Sequence, residues 1–382
     1  MNARNALMFL IFASCLDVSY AATVGTCTSD KHPYTTISSA VAAASPGEIV
    51  NVCPGTYAEQ IQIDIPLTLQ SVQGLATIVP PASGMNEIPT GSGSFPQIYI
   101  NNSVGQVKLS ALAVNGNNAS FNAGFGVPLS ANAACQDGIA DGFVGVWFGG
   151  PSGIVDGLVV SGQYGSVLTL DDEGPQLIPN CGSGIEFHVS GQAFIQNTVV
   201  SGVGLVGISG SNLMANTNQV QAGLGPYGIG IAASGGTIIN NNVAGTSDYV
   251  GTIGIEGGDS VKNNNVQNAI YGIVGAANAS HNTLTDNAIS ISKVADASNN
   301  LISGASTYYN PACFNGGCNP NSLTGPAYPT IGLDLGCANG GAIKNNRFDG
   351  LGIGIANVEA GQTISKTNLF SSVTTNTTSC SQ

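Results

Sequence analysis

The residues able to do acid–base or sugar-binding chemistry are few here, because charged residues make up only 8% of the 382-residue chain. Its only tryptophan, Trp147, and the carboxylates Glu186, Glu256 and Asp334 fall in strands that carry a recurring Gly-Ile phrase. His188 follows Glu186 by two residues, a spacing that puts both side chains on one side of a strand. An aromatic ring beside carboxylates suits a sugar, which stacks on the ring and bonds the acids through its hydroxyls. We therefore predict a carbohydrate-binding surface that includes Trp147, Glu256 and Asp334.

Hydrolysis of a glycosidic bond would need a second carboxyl near Glu186. Glu186 and Glu256 lie three repeats apart, about 14 Å at roughly 4.8 Å per repeat, whereas paired catalytic carboxyls stand about 5 to 9.5 Å apart. The run Asp171-Asp172-Glu173 enters the Glu186 strand and is the natural source of that acid, with His188 assisting as acid or base. Three adjacent acids also suit calcium or a solvated loop tip. The catalytic candidates are Glu186, His188, Asp171, Asp172 and Glu173; calcium is the one metal considered, and no other cofactor is expected.

The elements that must position these residues are short strands in a repeat of about twenty residues. An asparagine, any residue and then an apolar residue return along the second half of the chain, and the Gly-Ile phrase follows at a similar offset. Such periodicity is typical of a β-solenoid. We predict that the asparagines stack in a hydrogen-bonded ladder at a tight turn, whose left-handed backbone asparagine tolerates. The predicted ladder consists of Asn197, Asn218, Asn241, Asn264, Asn282, Asn299 and Asn346.

The segment before residue 80 differs from the repeats. Apolar residues at helical spacing from Tyr34 to Ala44, behind threonine caps, predict a short helix that Ser45-Pro46-Gly47 ends. Three strands follow, at residues 49–53, 61–65 and 67–70, with a turn at Pro54-Gly55-Thr56-Tyr57. A solenoid must cover the open end of its core, and an amphipathic helix laid across the first coil would do so.

These phrases, from Tyr34-Thr35-Thr36-Ile37 through Ile49-Val50-Asn51-Val52 to Pro54-Gly55-Thr56-Tyr57, resemble the opening of proteins of the pectin-lyase-like superfamily. The asparagine-bearing coils extend the resemblance over nearly all of the mature chain. It implies an all-β fold, a right-handed parallel β-helix with a short N-terminal capping helix. It does not imply one activity, because this fold hosts esterases, lyases, hydrolases and proteins without an assigned reaction. The sequence lacks the Asn-Thr-Asp and Gly-His-Gly motifs of polygalacturonases and the Asp-Pro-His motif of alginate epimerases.

Three coils are overlong, with insertions near residues 117–142, 169–183 and 304–329. Each insertion lies between the asparagine phrase and the Gly-Ile phrase, so all three should leave the solenoid at the same turn. The third lies six coils beyond the second, roughly 29 Å away. This predicts a trough walled at both ends, with the Gly-Ile strands as its floor. One residue of each Gly-Ile strand should point outward at the same place in successive coils, and we call this row the outward file. We expect it to be Trp147, Glu186, Ser209, Gly230, Glu256, Val274, Ser290, Asp334 and Gly354.

Residues 1–21 are typical of an export signal, with Arg4, a short apolar run and a Ser19-Tyr20-Ala21 cleavage site; lipidation at Cys15 is a weaker alternative. Of nine cysteines, eight remain after residue 21, an even number that indicates disulfides in an oxidising compartment. The order of the cysteines along the repeats suggests four disulfide pairs: Cys27–Cys53, Cys135–Cys181, Cys313–Cys318 and Cys337–Cys380. A zinc site is the alternative interpretation of Cys313 and Cys318.

The net charge of −13 disfavours nucleic acid and anionic lipid as partners, and no later run is apolar enough to cross a membrane. We therefore expect a secreted, periplasmic or cell-surface monomer, with the signal at 1–21, the cap and first coils at 22–80 and the β-helix at 81–382. Its predicted function is binding of a polysaccharide or cell-wall glycan along the trough, with hydrolysis as a further candidate activity. The alternative is a non-catalytic cell-surface or structural solenoid. A polyuronate lyase or epimerase is disfavoured, because the mature chain has one arginine, Arg347, outside the trough.

Overall fold

The computed structural model describes residues 22–30, 33–101, 105–116, 142–163, 165–171, 174–224, 228–245, 252–309, 313–314, 317–318, 327–337 and 341–380. The predicted export signal and most of the first insertion, residues 117–141, therefore lie outside the described residues. No helix among the described residues is long and apolar enough to cross a membrane.

The chain winds as a right-handed parallel β-helix with three faces, as predicted. Faces 1 and 2 form one 22-stranded sheet, because two long strands, Val206–Asn216 and Ile229–Ile239, run across both. Face 3 is a separate 12-stranded sheet. Within each face a strand pairs in parallel with its equivalent one coil away, so equal places in successive coils form files along the axis.

Besides the two long strands, face 1 contains Ile61–Ile63, Ser94–Ile100, Gly142–Phe148, Ser183–Phe187, Ile253–Gly257, Tyr271–Val274, Ile289–Ser292, Ile331–Asp334, Ile353–Val358 and Thr375–Ser379. Face 2 contains Ala22–Val24, Glu48–Val52, Leu67–Ser71, Val107–Ser110, Gly153–Asp156, Ala193–Gln196, Ser260–Lys262, Asn278–Ser280, Asp296–Ser298 and Ile343–Lys344. Face 3 contains Gly55–Ala58, Ala76–Val79, Leu112–Asn115, Val159–Gln163, Val199–Val203, Gln219–Gln221, Asn242–Ala244, Asn265–Gln267, Thr283–Thr285, Leu301–Ser303, Arg347–Asp349 and Leu369–Ser371.

The core is a set of apolar files, one or more from each face. Ile208, Ile231 and Ile255 succeed one another on face 1 with no exposed surface, and Val243 and Val266 do so on face 3. Alternate residues along each strand point inward, which is why the sequence shows short apolar alternations at intervals of one coil. Arg347 lies on face 3, as predicted, away from face 1.

Faces 2 and 3 meet at a tight turn that we call the ladder corner. Here each asparagine Oδ1 accepts from the backbone N–H and the Nδ2 of the asparagine one coil earlier, as Asn241 does from Asn218 at 2.9 Å each. Nδ2 also donates to a carbonyl such as that of Ala215, so these buried amides have partners for their donors and acceptor. The ladder runs through Asn218, Asn241, Asn264, Asn282, Asn300, Asn346 and Asn368.

Two predicted ladder members are wrong by one residue. Thr198 occupies the place predicted for Asn197, and Asn300 occupies that predicted for Asn299. Asn197 and Asn299 lie one position earlier and take the left-handed backbone, at φ 52° and 56°. In these coils the left-handed residue is therefore the one before the ladder, where asparagine is also favoured. Asn368 was not predicted, and it extends the ladder by one coil.

Faces 3 and 1 meet at the turn where the long insertions leave, which we call the excursion corner. The strands flanking the insertions confirm the prediction: each insertion follows a face 3 strand and precedes a face 1 strand. The second insertion contains the antiparallel hairpin Gly165–Asp171/Gly174–Cys181. The third contains two antiparallel hairpins, Thr307–Tyr309/Ala327–Pro329 and Cys313–Phe314/Gly317–Cys318. A fourth excursion at this corner, residues 80–93, was not predicted.

The N-terminal helix, Ile37–Ala43, covers the first coil and buries Ile37, Ala40 and Val41. Thr36 caps its first turn, and the carboxylate of Glu59 accepts from the N–H groups of Ile37 and Ser38 at 2.8 Å. The turn predicted at residues 54–57 is wrong, because Gly55–Ala58 pairs in parallel with Ala76–Val79 as the first strand of face 3.

Disulfides Cys27–Cys53 and Cys337–Cys380 confirm two of the predicted pairs, one near each end of the solenoid. Cys313 and Cys318 are opposite each other across a hairpin, so their backbone register is compatible with the predicted pair. Cys135 lies outside the described residues, and the Cys135–Cys181 pair remains a prediction.

Candidate functional site

The outward file of face 1 brings together most of the residues predicted for the trough floor. Its register runs through Trp147, Glu186, Ser209, Ala232, Glu256, Val274, Ser292, Asp334 and Ala356. Gly230, Ser290 and Gly354 were wrongly placed in this file. Gly230 instead points inward, where an added Cβ would lie 2.6 Å from Val243 of face 3. The carboxylates keep the predicted spacing, with three coils between Glu186 and Glu256 and three between Glu256 and Asp334.

One end of the file is an aromatic stack that covers the tryptophan. Trp147 lies between Tyr99, with ring centroids 4.9 Å apart, and His188, at 4.7 Å. Ile88, from the excursion 80–93, packs against the same group. Trp147 is consequently only 8% exposed, and the expectation of an exposed tryptophan platform is wrong. Tyr99 and Ile88 were missed because both depend on a coil to which the asparagine phrase does not extend.

Glu186 and His188 form a pair at this end. His188 Nε2 lies 2.9 Å from Glu186 Oε2, and the side chains are 48% and 5% exposed respectively. The His188 backbone N–H donates to the Phe148 carbonyl at 2.7 Å, which fixes it against the preceding coil. Glu186 is therefore not the exposed acid that we expected. It lies beneath an accessible imidazole, whose ring it orients while Trp147 supports one face.

The aromatic stack has a polar side towards the first coils. Tyr99 is buried, and its pKa is raised mainly by burial and further by the negative charge of Asp64. Asp64 accepts hydrogen bonds from Gln62 at 3.0 Å and from Asn101 at 2.9 Å. Burial of the phenol therefore favours its neutral form, which keeps a hydroxyl next to the stack.

The middle of face 1 is an open depression with small side chains. A cavity of about 520 Å³ lies over residues from four successive coils, among them Ser209, Ala232, Glu256 and Val274. Glu256 is exposed and is the one charged side chain among the described residues of its lining. A second depression of about 430 Å³ continues toward face 2 and brings in Asp259 and Lys293. These small residues leave room above the sheet, and Glu256 provides an acceptor in that space.

At the far end, Asp334 is half-buried and held in place. Its Oδ1 accepts from the backbone N–H of Gly336 at 2.9 Å and from Asn357 Nδ2 at 2.8 Å. The outward file thus contains a buried carboxylate at one end, an exposed one in the middle and a hydrogen-bonded one beyond it.

The acidic run suggested as the second catalytic acid or calcium site remains a prediction. Asp171 ends a hairpin strand, opposite Gly174, and Asp172 and Glu173 lie outside the described residues. Within the described part of the chain, no group of three histidine, cysteine or acidic side chains could hold a metal ion. The hairpin enters the Glu186 strand at Ser183, so the predicted connection between them holds for the backbone.

The chain is similar to one protein family and to several solved structures. Residues 22–142 match the protein family described as "Protein of unknown function (DUF1565)". No curated protein matches the chain. The A-module of a mannuronan C-5 epimerase from Azotobacter vinelandii is 12% identical with a TM-score of 0.45, over 87% of this chain and 89% of that one. A family 28 exopolygalacturonase from Yersinia enterocolitica is 12% identical with a TM-score of 0.42, over 94% and 78%. Pectin methylesterase PemA from Erwinia chrysanthemi is 12% identical with a TM-score of 0.27, over 87% and 79%.

Proposed function

We propose that this protein is exported and binds a neutral or weakly charged polysaccharide along the outward file of face 1. The observation that carries the proposal is the register of that file, which aligns Glu186, Glu256 and Asp334 with small residues between them. An extended glycan also repeats along one axis, and its hydroxyls find the acceptors Glu256 and Asp334 three coils, about 14 Å, apart. The acidic file disfavours a polyuronate as ligand. The disulfides near both ends support an oxidising compartment.

The contact at one end of the ligand is His188 rather than Trp147. The imidazole is the accessible group there, and the tryptophan supports it from behind. Asp334 and Glu256 bond sugar hydroxyls directly in this proposal. Calcium bound by Asp171, Asp172 and Glu173 is a further ligand in this proposal, since three oxygen donors suit a hard cation.

Hydrolysis is a second proposed activity, and the Glu186–His188 pair is the observation that favours it. A carboxylate bonded to an accessible imidazole is suited to proton transfer at a glycosidic oxygen. Glu186 and Glu256 are too far apart to be the catalytic carboxyl pair, so the second acid would come from Asp171, Asp172 or Glu173. The alternative from a different class is a structural or cell-surface solenoid that binds no glycan.

The test is a binding and turnover screen of the purified protein against plant and microbial polysaccharides. Binding is measured by calorimetry, hydrolysis by release of reducing ends, and elimination by absorbance at 235 nm. We expect Glu256→Gln and His188→Gln each to lower affinity about tenfold, the loss of roughly one charge-assisted hydrogen bond. Glu359→Gln, in the last coils, is the matched control and should bind as the native protein does. Neither binding nor product with any glycan would favour the structural solenoid.

A further inference from the structure

Two tyrosines pair where the third excursion leaves the excursion corner. Tyr308 and Tyr328 are opposite each other across the hairpin Thr307–Tyr309/Ala327–Pro329, which places their side chains on the same side of it. Their ring centroids are 5.8 Å apart and the rings are tilted by 33°. Tyr328 is 43% exposed, whereas Tyr308 is half-buried. The pKa of Tyr308 is raised by burial and then by the neighbouring phenols of Tyr271 and Tyr328.

The base of this hairpin is fixed to the solenoid. Thr330 is 4% exposed, and its hydroxyl donates to the Ala305 carbonyl and accepts from the Gly352 N–H. The Thr330 backbone N–H donates to the Ser306 carbonyl at 3.2 Å. Pro329 packs closely against Gly352: a Cβ added to Gly352 would lie 2.7 Å from the Cβ of Pro329. The tyrosine pair is therefore presented by a supported element, which lowers the entropy lost when a ligand binds.

Tyr271 lies on face 1, close to the coil from which the hairpin leaves. Tyr271 is the partner of Ile253, at the start of the strand one coil beyond that of Glu256. The hairpin leads into Ile331, two coils beyond Tyr271 and about 10 Å along the axis. Tyr271 and the base of the hairpin therefore lie at the same edge of face 1, the excursion corner. The aromatic side chains thus stand along that edge of face 1.

We propose that Tyr271, Tyr308 and Tyr328 form an aromatic subsite that stacks one pyranose ring of a neutral polysaccharide. The face of an aromatic ring carries negative potential and attracts the C–H groups of a sugar face. The phenol hydroxyls lie at the ring edge, where they can bond the sugar hydroxyls. The exposed carboxylate of Glu256, nearby on the floor, accepts from a hydroxyl of an adjacent ring and repels uronates. This inference rests on the proposed polysaccharide binding and adds to it the ligand's uncharged character and the place of one ring.

The test uses the full chain and the glycan that binds best in the screen, with Tyr328→Ala, Tyr328→Leu and Tyr328→Phe. Stacking predicts about a tenfold loss of affinity for Ala and Leu, and a loss of no more than about threefold for Phe, which keeps the ring. Leu369→Ala is the control for removing an exposed apolar side chain; Leu369 is 64% exposed in the last coil. Melting temperatures of all four variants should match the native protein, because both side chains are exposed.

The outcomes separate this inference from the proposed function. If the native protein binds a glycan and Tyr328→Ala binds equally well, the aromatic subsite is wrong and the polysaccharide proposal stands. If Tyr328→Phe loses as much affinity as Tyr328→Ala, the hydroxyl rather than the ring makes the contact, and stacking is overturned. If the native protein binds no glycan, both proposals fail. A preferred ligand that is a polyuronate would also overturn the assignment of a neutral sugar.

Discussion

The two corners on either side of face 3 differ in almost every respect. At the ladder corner, one residue type recurs in seven coils and is buried and fully hydrogen-bonded from coil to coil. At the excursion corner, the chain leaves the solenoid for very different lengths, such as residues 80–93 and residues 304–330. The contrast shows that one fixed turn per coil is enough to keep successive coils in register. The other turn is then free to add the walls and side chains of a binding site.

The first prediction breaks the ladder at its middle. Asn241→Ala should destabilise the protein by about 2–5 kcal/mol, because the Asn218 N–H and Nδ2 both lose their acceptor while remaining buried. Urea unfolding followed by circular dichroism would measure this loss. Asn242→Ala is the matched control, since Asn242 is the next residue but is exposed and accepts only an exposed bond from Asn265. Equal effects of the two substitutions would show that the ladder is not what stabilises this corner.

The second prediction sharpens the comparison by locating the fixed part of the excursion corner. A file of glycines, interrupted by Ser290, lies near the start of successive face 1 strands, and a Cβ on Gly254 would lie 2.4 Å from Val266 Cγ1 and 2.7 Å from the Gly272 carbonyl. Gly254→Ala should therefore cost about 1–3 kcal/mol in unfolding free energy.

The control for that substitution is Gly304→Ala, at the same corner but where the third excursion begins. The nearest atoms to an added Cβ there are 3.5 Å away, an ordinary contact. We expect a change below about 0.5 kcal/mol. If Gly304→Ala were as costly as Gly254→Ala, the variable and fixed parts of the corner would not be separable in the way we describe.

The sequence was sufficient for the fold because the fold repeats. Periodic asparagines and apolar residues predicted the β-helix, the asparagine ladder and the common corner at which the insertions leave. The errors of one residue at Asn197 and Asn299 have a physical cause, since asparagine is favoured both in the ladder and at the left-handed position before it. No pattern of residue types separates two adjacent positions with the same preference.

The site was only partly predictable because it depends on contacts that do not repeat. The register gave the file of Glu186, Glu256 and Asp334, but it could not show that Tyr99 and His188 enclose Trp147. The pairing of Tyr308 with Tyr328 spans twenty residues inside an insertion and has no counterpart in other coils. The sequence did contain one indication of this hairpin: tyrosines lie on both sides of the insertion, where the two paired strands of a hairpin would place them.

The last and smallest effect concerns the length of an excursion. Replacing residues 310–326 with Asn-Gly would join Tyr309 to Ala327, which are already partners in the hairpin, through a two-residue turn of the kind hairpins favour. We expect a change in unfolding free energy below about 1 kcal/mol, since loop-closure entropy varies slowly with length. Glycan affinity should stay within about threefold, because Tyr308 and Tyr328 are retained. The matched control inserts Asn-Gly after Asn241 at the ladder corner, where it displaces a buried amide from its stack and should destabilise the protein by several times more. A shortened hairpin that unfolds as readily as this control would show that the excursion corner, too, holds the coils in register.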